Sequence, residues 1–536
     1  MAEGILRTDA PEDGGRFFYN GLRGLMTRIF AFAIAVTALI SSGAMAQETA
    51  DSTPVPASME EVEAAYRSQD FVAAREGLKH LAETEPAGNV MYRYARILLD
   101  PRAGPVDAPE AAIWLERAVE ADYTPANTLL ARVFLSGGDV ERDPERAAKL
   151  LQDSATRGDQ EAQYYLALLY EAGDGVAQSE RDAFVWYRAA AELGHVEAAY
   201  SLSRAYSRGA GTELDTEKAL HWLERSAGDG HVDAQFFLAN ALETGKGASQ
   251  NRNEALNWYR RAAEGGHILS MRIIGTKYLQ GEGVYQDNDA ALMWLTKAAE
   301  GGEPGALYNL GVLYGTGRIV ERDDAKAMSY FESAADTGLL RAIGMQAAFL
   351  EAGRGVEADL SRAVGLYQTA AQEGHVPSQA ALVRLAVGGD LDGLTTPHDM
   401  VAVVAAAAMD GDEAALKWLE RASEAGVGPA TTALGALLLN DAARADEGVA
   451  LITKAARQGN AVAQFQLGEA FSTGVGVAQD FEAAHMWLNL SAAQGHRQAG
   501  QSRDVLTDLM TPEQIQAAQA AARAFQPENP VRGSDQ

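Results

Sequence analysis

Residues 162–196 read AQYYLALLYEAGDGVAQSERDAFVWYRAAAELGHV, and this stretch decides the fold. Residues 162–170 place apolar side chains at helical spacing, and Gly173 ends that helix because glycine enters the left-handed region without strain. Ser179 is suited to cap a second helix, and Gly194 is placed to end it. The stretch therefore predicts two antiparallel helices joined by a glycine-rich turn.

The same sequence pattern recurs at a fixed interval along the chain. The position of the tryptophan recurs in steps of 36 residues as Trp114, Leu150, Trp186, Trp222, Trp258, Trp294, Tyr330 and Leu366. Self-similarity at such a period indicates a stack of identical supersecondary units, each packed only on its neighbours. We therefore expect an all-α fold, a right-handed α/α superhelical solenoid of about 11–12 two-helix repeats with a 36-residue period.

Two sets of residues are predicted to build each repeat. The tryptophans lie on the apolar stripe of the second helix and are predicted to form its structural core: Trp114, Trp186, Trp222, Trp258, Trp294, Trp418 and Trp487. Seven residues earlier stands a polar side chain that can accept hydrogen bonds from the first N–H groups of that helix. On this basis we predict helix caps at Asp215, Asp287, Asp323, Asp359 and Asp480.

The order of small residues, tyrosine, G-x-G-V, a polar cap, tryptophan, paired alanines and glycine resembles the Sel-one-like repeat (SLR) family of tetratricopeptide-like solenoids. The resemblance covers roughly residues 89–499. It implies a bacterial secreted or periplasmic protein, and a superhelix whose concave face binds partners. Residues 59–88 look more like an ordinary tetratricopeptide unit, which would cap the N-terminal end.

The N-terminus carries a targeting pattern. A basic residue, an apolar run and an A-x-A motif occupy residues 28–46, and this order predicts a signal peptide over residues 26–46. The alternative is a membrane anchor through residues 29–46, although the apolar run is short for about 30 Å of hydrocarbon. Residues 1–25 are polar and mixed in charge, so we expect Met26 to be the true start.

The regular period breaks once. After Leu366 the next tryptophan, Trp418, comes 52 residues later, which is 16 more than the period allows. We predict a joint in this segment, formed by Gly388, Gly389, Pro397, His398 and Gly411, and a decayed repeat is the alternative. The predicted division of the mature chain is a disordered leader (47–58), a tetratricopeptide-like cap repeat (59–88), a repeat array (89–386), an irregular insertion or joint (387–411), further repeats (412–499), C-terminal capping helices (500–525) and a disordered tail (526–536).

Composition limits the possible partners. Lys and Arg number 45 against 74 Asp and Glu, which gives a formal net charge of −29. Such a chain lacks the dense basic face that a nucleic acid requires. It contains no cysteine, so disulfides, thiolate nucleophiles and Cys-ligated metal sites are excluded.

Two columns of ionisable residues follow the period. Histidines stand nine residues after the tryptophan position, and we assign them to turn packing and capping because adjacent repeats lie about 10 Å apart and cannot share one metal ion: His195, His231, His267, His375 and His496. A basic column three residues after the same position would complement the helix C-terminus: Arg117, Arg225, Arg261, Lys297, Arg421 and Lys454. No residue is predicted to be catalytic, to bind a cofactor or to ligate a metal.

Architecture and targeting together favour a non-catalytic periplasmic scaffold or adaptor for protein–protein interaction. Its partners would be other envelope or secreted proteins, bound through the concave face, in an envelope signalling system or in polysaccharide or cell-wall assembly. The alternatives are a secreted factor that binds host proteins and an assembly factor associated with glycan or peptidoglycan.

Overall fold

The computed structural model describes residues 55–389 and 397–528, with side chains from residue 400 onward in the second range. These residues contain 27 α-helices, one short 3-10 helix and no strands. The predicted all-α fold class is confirmed. The predicted signal peptide and residues 1–25 lie outside the described ranges.

Contacts between Cα atoms divide the chain into two units, Met1–Gly301 and Gly302–Gln536. In the first unit the helices are α1 Met59–Arg67, α2 Phe71–Thr84, α3 Gly88–Leu98, the 3-10 helix Pro101–Ala103, α4 Ala108–Glu120, α5 Pro125–Ser136, α6 Pro144–Thr156, α7 Gln160–Ala172, α8 Glu180–Glu192, α9 Val196–Arg208, α10 Thr216–Gly228, α11 Val232–Thr244, α12 Arg252–Glu264, α13 Ile268–Gln280 and α14 Asn288–Glu300. Each of these α-helices packs against the helix before it and the helix after it within the unit.

The second unit continues the alternation. Its helices are α15 Pro304–Thr316, α16 Asp324–Ala335, α17 Leu340–Ala352, α18 Leu360–Gln372, α19 Val376–Gly388, α20 Pro397–Met409, α21 Glu413–Glu424, α22 Gly428–Leu439, α23 Ala445–Arg457, α24 Ala461–Thr473, α25 Phe481–Ala493, α26 Arg497–Thr507 and α27 Pro512–Ala524. From α3 to α20 the odd-numbered helices are the first helices of the repeats and the even-numbered helices are the second helices.

Polar caps begin the second helices. At α10 the carboxylate of Asp215 accepts a hydrogen bond of 2.9 Å from the backbone N–H of Lys218. Asp287, Asp323, Asp359 and Asp480 make the same contact at 2.9–3.0 Å. Each bond satisfies a donor that has no partner inside its helix, so the cap sets the residue at which the helix starts.

The second glycine of the G-x-G turn brings neighbouring repeats together backbone to backbone. At Gly211 φ is +69°, and a Cβ atom would lie 2.1 Å from the carbonyl oxygen of Glu180, which opens α8 of the preceding repeat. Gly175 stands in the same relation to Pro144, at 2.2 Å. Only a residue without a side chain permits this approach.

The segment predicted as a joint contains a helix. Helix α20 begins 37 residues after Leu360, close to the place that the period gives to a second helix, and it packs on α19, α21 and α22. Gly389 and Gly411 adopt positive φ at the ends of α19 and α20. Residues 390–396 and the side chains of Pro397 and His398 lie outside the described part, and the joint stays a prediction.

One helix exceeds the two-helix pattern. Helix α21, which carries Trp418, follows α20 after a short turn and precedes α22, which has the sequence of a first helix. The 16 additional residues between Leu366 and Trp418 are about the length of this helix and its turn. The break in the period is therefore an added helix within the second unit.

The described ends of the chain pack on the array. Pro56, which belongs to the predicted leader, is buried. A Cβ atom added to Gly77 would lie 2.7 Å from the Cβ of Pro56. Helix α27 starts with a capping box between Thr511 and Gln514 and packs on α25. None of the described helices has the length and apolar content needed to cross a membrane.

Candidate interaction surface

The seven predicted core tryptophans differ in burial. Three are buried, namely Trp114, Trp294 and Trp487, and four are half-buried, namely Trp186, Trp222, Trp258 and Trp418. The residue that follows the tryptophan is often deeper: Tyr259, next to half-buried Trp258, is 1% exposed and its hydroxyl donates to Glu243 of α11 at 3.0 Å. In such repeats the residue after the tryptophan lies deeper in the core than the tryptophan does.

The basic column lies over the tryptophans. The cationic groups of Arg117, Arg225, Arg261 and Lys297 stand 4.6, 5.3, 4.6 and 4.8 Å from the ring centroids of the tryptophans three residues earlier. Each contact is a cation–π interaction between neighbours on one helix face. The half-buried rings of Trp222 and Trp258 are thus covered by the charged side chains of Arg225 and Arg261.

The histidine column links successive repeats. The rings of His195, His231, His267 and His496 stack on Tyr164, Tyr200, Phe236 and Phe465 of the preceding first helix, with centroids 4.4–4.5 Å apart. The Nδ1 atom of each histidine also accepts a backbone N–H three residues later, at 3.1–3.3 Å, and caps its own helix. The aromatic partner stands 31 residues before each histidine, a spacing from which the stack could have been predicted.

Burial in these stacks disfavours protonation. It lowers the pKa of His195, His231 and His267 below the ordinary value of 6.5, although the carboxylates of Glu197 and Asp233 act in the opposite direction. The unfolded chain therefore binds protons at a higher pH than the folded chain does. The stability that these caps contribute is present above pH 6.5 and declines as the pH falls below that value.

Asparagine provides a matched test of this pH dependence, because Asn460 occupies the same cap position and accepts from the N–H of Ala463 at 2.9 Å. We expect the triple variant His195→Asn/His231→Asn/His267→Asn to lose less thermal stability between pH 7.5 and 5.5 than the parent chain. Carboxylate titration is common to both proteins, so the difference in the shift of Tm isolates the histidines. If Tm shifted equally in the two proteins, the three histidines would not be a source of the pH dependence.

A cavity of about 300 Å³ lies in the first unit, between α9, α10 and α11. Its floor includes Leu220 and Leu223 of α10, and the cationic residues Arg204, Arg208 and Lys246 line it as well. Ligand pockets in proteins begin at about this volume. Apolar surface and positive charge meet in this cavity.

No group of three or more His, Asp or Glu side chains within residues 55–389 and 400–528 is arranged to hold a metal ion. The histidines recur at one position of the repeat. Their rings stack on aromatic rings of neighbouring repeats and do not face one another. The described features are helix caps, ring stacks between repeats, cation–π pairs and the cavity between α9, α10 and α11.

Units of two helices, joined by glycine turns and repeated along the chain, define an α/α solenoid repeat protein. The family model described as Sel1 repeat matches residues 89–123, 124–159, 160–195, 196–231, 232–267, 269–303, 304–339, 342–375, 410–427 and 461–496. These matches cover more than half of the chain, and the protein belongs to the Sel1 repeat family.

Two solved structures are similar to this chain. A protective antigen present in uropathogenic Escherichia coli strains, which displays an SLR fold, is 25% identical and superposes with a TM-score of 0.55 over 84% of this chain and 94% of its own. A Sel1 repeat protein from Oxalobacter formigenes is 26% identical over 66% of this chain and 99% of its own, with a TM-score of 0.44. The search of curated proteins found no match.

Proposed function

We propose that the protein is an exported, non-catalytic scaffold that binds other proteins of the bacterial cell envelope. The observation that carries this proposal is the array itself: Sel1 repeats match ten segments between residues 89 and 496, and such arrays typically serve protein interaction. The predicted signal peptide at residues 26–46 supports export to the periplasm. The absence of recognisable catalytic motifs from the sequence supports a binding role.

The binding surface in this proposal is the concave face of the array. In stacked two-helix repeats the small rotation of each unit creates an extended curved surface, and this surface is suited to elongated partners. The acidic composition, with a net charge of −29, favours proteins over nucleic acids as those partners.

A second candidate is a secreted factor that binds host proteins. It is favoured by one observation, namely that a relative with 25% identity is a protective antigen of uropathogenic strains. The two candidates differ in where the partner resides.

Affinity capture of the tagged full-length chain from cross-linked cells tests the scaffold. We expect at least one envelope protein to be enriched in near-stoichiometric amount, with an untagged strain as the control. Recovery of the chain alone from the envelope, together with capture of a host protein from host extract, would support the second candidate.

Export is tested on the same material. Intact mass spectrometry of the periplasmic fraction should identify Gln47 as the first residue, because the predicted cleavage follows Ala46. A variant that lacks residues 29–40 should remain in the cytoplasm. Recovery of the protein in membranes with residues 29–46 intact would show an anchored protein instead.

A further inference from the structure

The C-terminal segment, residues 525–528, leaves helix α27 and lies on second helices of its own unit. Phe525 has extended backbone, and its ring meets Trp487 of α25 in an edge-to-face contact, with centroids 5.3 Å apart. The position three residues after Trp487 holds Leu490, whereas an arginine or lysine at that position covers the tryptophan ring in four other repeats. An aromatic ring thus contacts a tryptophan that has no cation at this position.

The segment continues to the end of the preceding second helix, α23. Pro527 lies against Gly459, 3.5 Å from the place of an added Cβ, and the backbone N–H of Glu528 donates to the carbonyl oxygen of Arg457 at 2.8 Å. Arg457 is the last residue of α23, where carbonyl oxygens have no partner within the helix. Four residues therefore use three features of the array: a tryptophan ring, the glycine after the preceding second helix, and a carbonyl oxygen of that helix's last turn.

The same three features recur around Trp186. Gly459 stands 28 residues before Trp487, and Gly158 stands 28 residues before Trp186. The two glycines have nearly the same backbone, with φ of +96° and +93°. Thirty residues before Trp186 is Thr156, the last residue of α6, which corresponds to Arg457 at the end of α23.

The surface at Trp186 is open where the C-terminal segment covers its counterpart. The position three residues after Trp186 holds Ala189, which provides no cation for the ring. Trp186 is half-buried, whereas Trp487, in contact with the segment, is buried. Among the described residues, none has an atom within 4 Å of a Cβ added to Gly158. Space therefore exists at Trp186 for both the aromatic ring and the proline.

The other tryptophans in the described part of the first unit each lack one of these conditions. The position 28 residues before Trp114 holds Pro86 instead of glycine. Arginine or lysine covers the rings of Trp222, Trp258 and Trp294. Within residues 55–301, the uncovered ring, the glycine and the helix-end carbonyl come together at Trp186.

We propose that Trp186, Gly158 and the carbonyl oxygen of Thr156 bind an extended segment of a partner protein in which proline follows an aromatic residue by two positions. The aromatic ring contacts Trp186 edge to face, the proline lies on Gly158, and the N–H of the next residue donates to Thr156. Proline suits this place because it has no N–H to leave without a partner, and because it restricts the free segment and so lowers the cost of ordering it. This inference rests on the proposed function, because it names a feature by which the scaffold recognises a partner in addition to the concave face.

The structure supplies a variant that closes the site with a residue the array already uses. Ala189→Arg places an arginine where Arg225 and Arg261 cover the tryptophans of the next two repeats, so we expect the variant to fold and to keep its Tm. Ser333→Arg is the matched control, because exposed Ser333 stands three residues after Tyr330, the tryptophan position of another repeat. It adds the same charge away from the site. Both variants are made in the full-length chain.

The binding test uses a fluorescein-labelled, C-terminally amidated peptide with the sequence of residues 524–529, Ala-Phe-Gln-Pro-Glu-Asn. Fluorescence polarisation should show saturable binding to the parent chain. Replacing phenylalanine by serine in the peptide should weaken binding at least about tenfold, because the contact between two rings and the burial of the phenylalanine are both lost. Ala189→Arg should weaken binding by about the same factor, and Ser333→Arg should leave it unchanged.

Three results would each overturn the inference: no saturable binding to the parent chain, equal affinity for the two peptides, or equal affinity of the parent chain and folded Ala189→Arg. A second copy of this chain is the other possible source of the segment. Dimerisation in sedimentation analysis that both Ala189→Arg and Phe525→Ser abolish would place the C-terminal segment of a second copy at Trp186, and would overturn the assignment to a partner protein.

Failure of the inference is distinct from failure of the proposed function. If Ala189→Arg loses the peptide but captures the same envelope proteins as the parent chain, the scaffold stands and this site is not the one its partners use. If the parent chain binds the peptide through Trp186 but captures no envelope protein, the site stands and the scaffold role fails.

Discussion

Gly211→Ala is expected to lower the free energy of unfolding of its region by about 2–5 kcal/mol. The left-handed backbone at Gly211, with φ of +69°, costs an alanine about 1–2 kcal/mol. The added Cβ would also lie 2.1 Å from the carbonyl oxygen of Glu180, and backbone that must shift to relieve such a contact costs about 1–3 kcal/mol more. Native-state hydrogen exchange of α8, α9 and α10 measures the loss.

Gly194→Ala is the matched control. Gly194 has φ of +99°, also in the left-handed region, but nothing lies within 4 Å of its added Cβ. Its substitution should therefore cost only the conformational term of about 1–2 kcal/mol. Equal losses for the two alanines would mean that contact between repeats at the G-x-G turn contributes nothing to stability.

Tyr259→Ala is expected to cost about 3–5 kcal/mol, and Trp258→Ala is expected to cost less. Tyr259 is 1% exposed and its hydroxyl bonds to Glu243, so truncation leaves a cavity and removes a donor from that glutamate. Trp258 is larger but half-buried, and Arg261 covers its ring. Denaturant unfolding of both variants measures the difference.

Tyr259→Phe separates the two contributions, because it keeps the ring and removes only the hydroxyl. Its loss should be about 1 kcal/mol. In a repeat array each unit is stabilised mainly by itself and its neighbours, so exchange protection should fall in α11–α13 and persist at α3–α6. A larger loss for Trp258→Ala than for Tyr259→Ala would show that the tryptophan contributes more to the stability of the repeat than the deeper tyrosine does.

Local signals determined the helices. The caps at Asp215 and its counterparts, the terminal glycines and the 36-residue period each act within a few residues of the chain, so sequence alone predicted the all-α repeat fold. The same signals could not show that α21 is an additional helix, because the sequence pattern around Trp418 is the one that marks a second helix in the other repeats. Only the packing of α20 on α19, α21 and α22 shows where the additional helix stands.

The sequence by itself determined the family, the period and the caps that start the second helices of the regular repeats, because those properties depend on groups close along the chain. Tertiary structure decided which of two adjacent side chains is deeper, as for Trp258 and Tyr259, which lie about 100° apart on one helix. It also decided that Ser207 and Leu223 leave a cavity beside Arg204. The burial of a side chain and the presence of a cavity depend on which side chains of neighbouring repeats pack there. No single stretch of sequence contains that information.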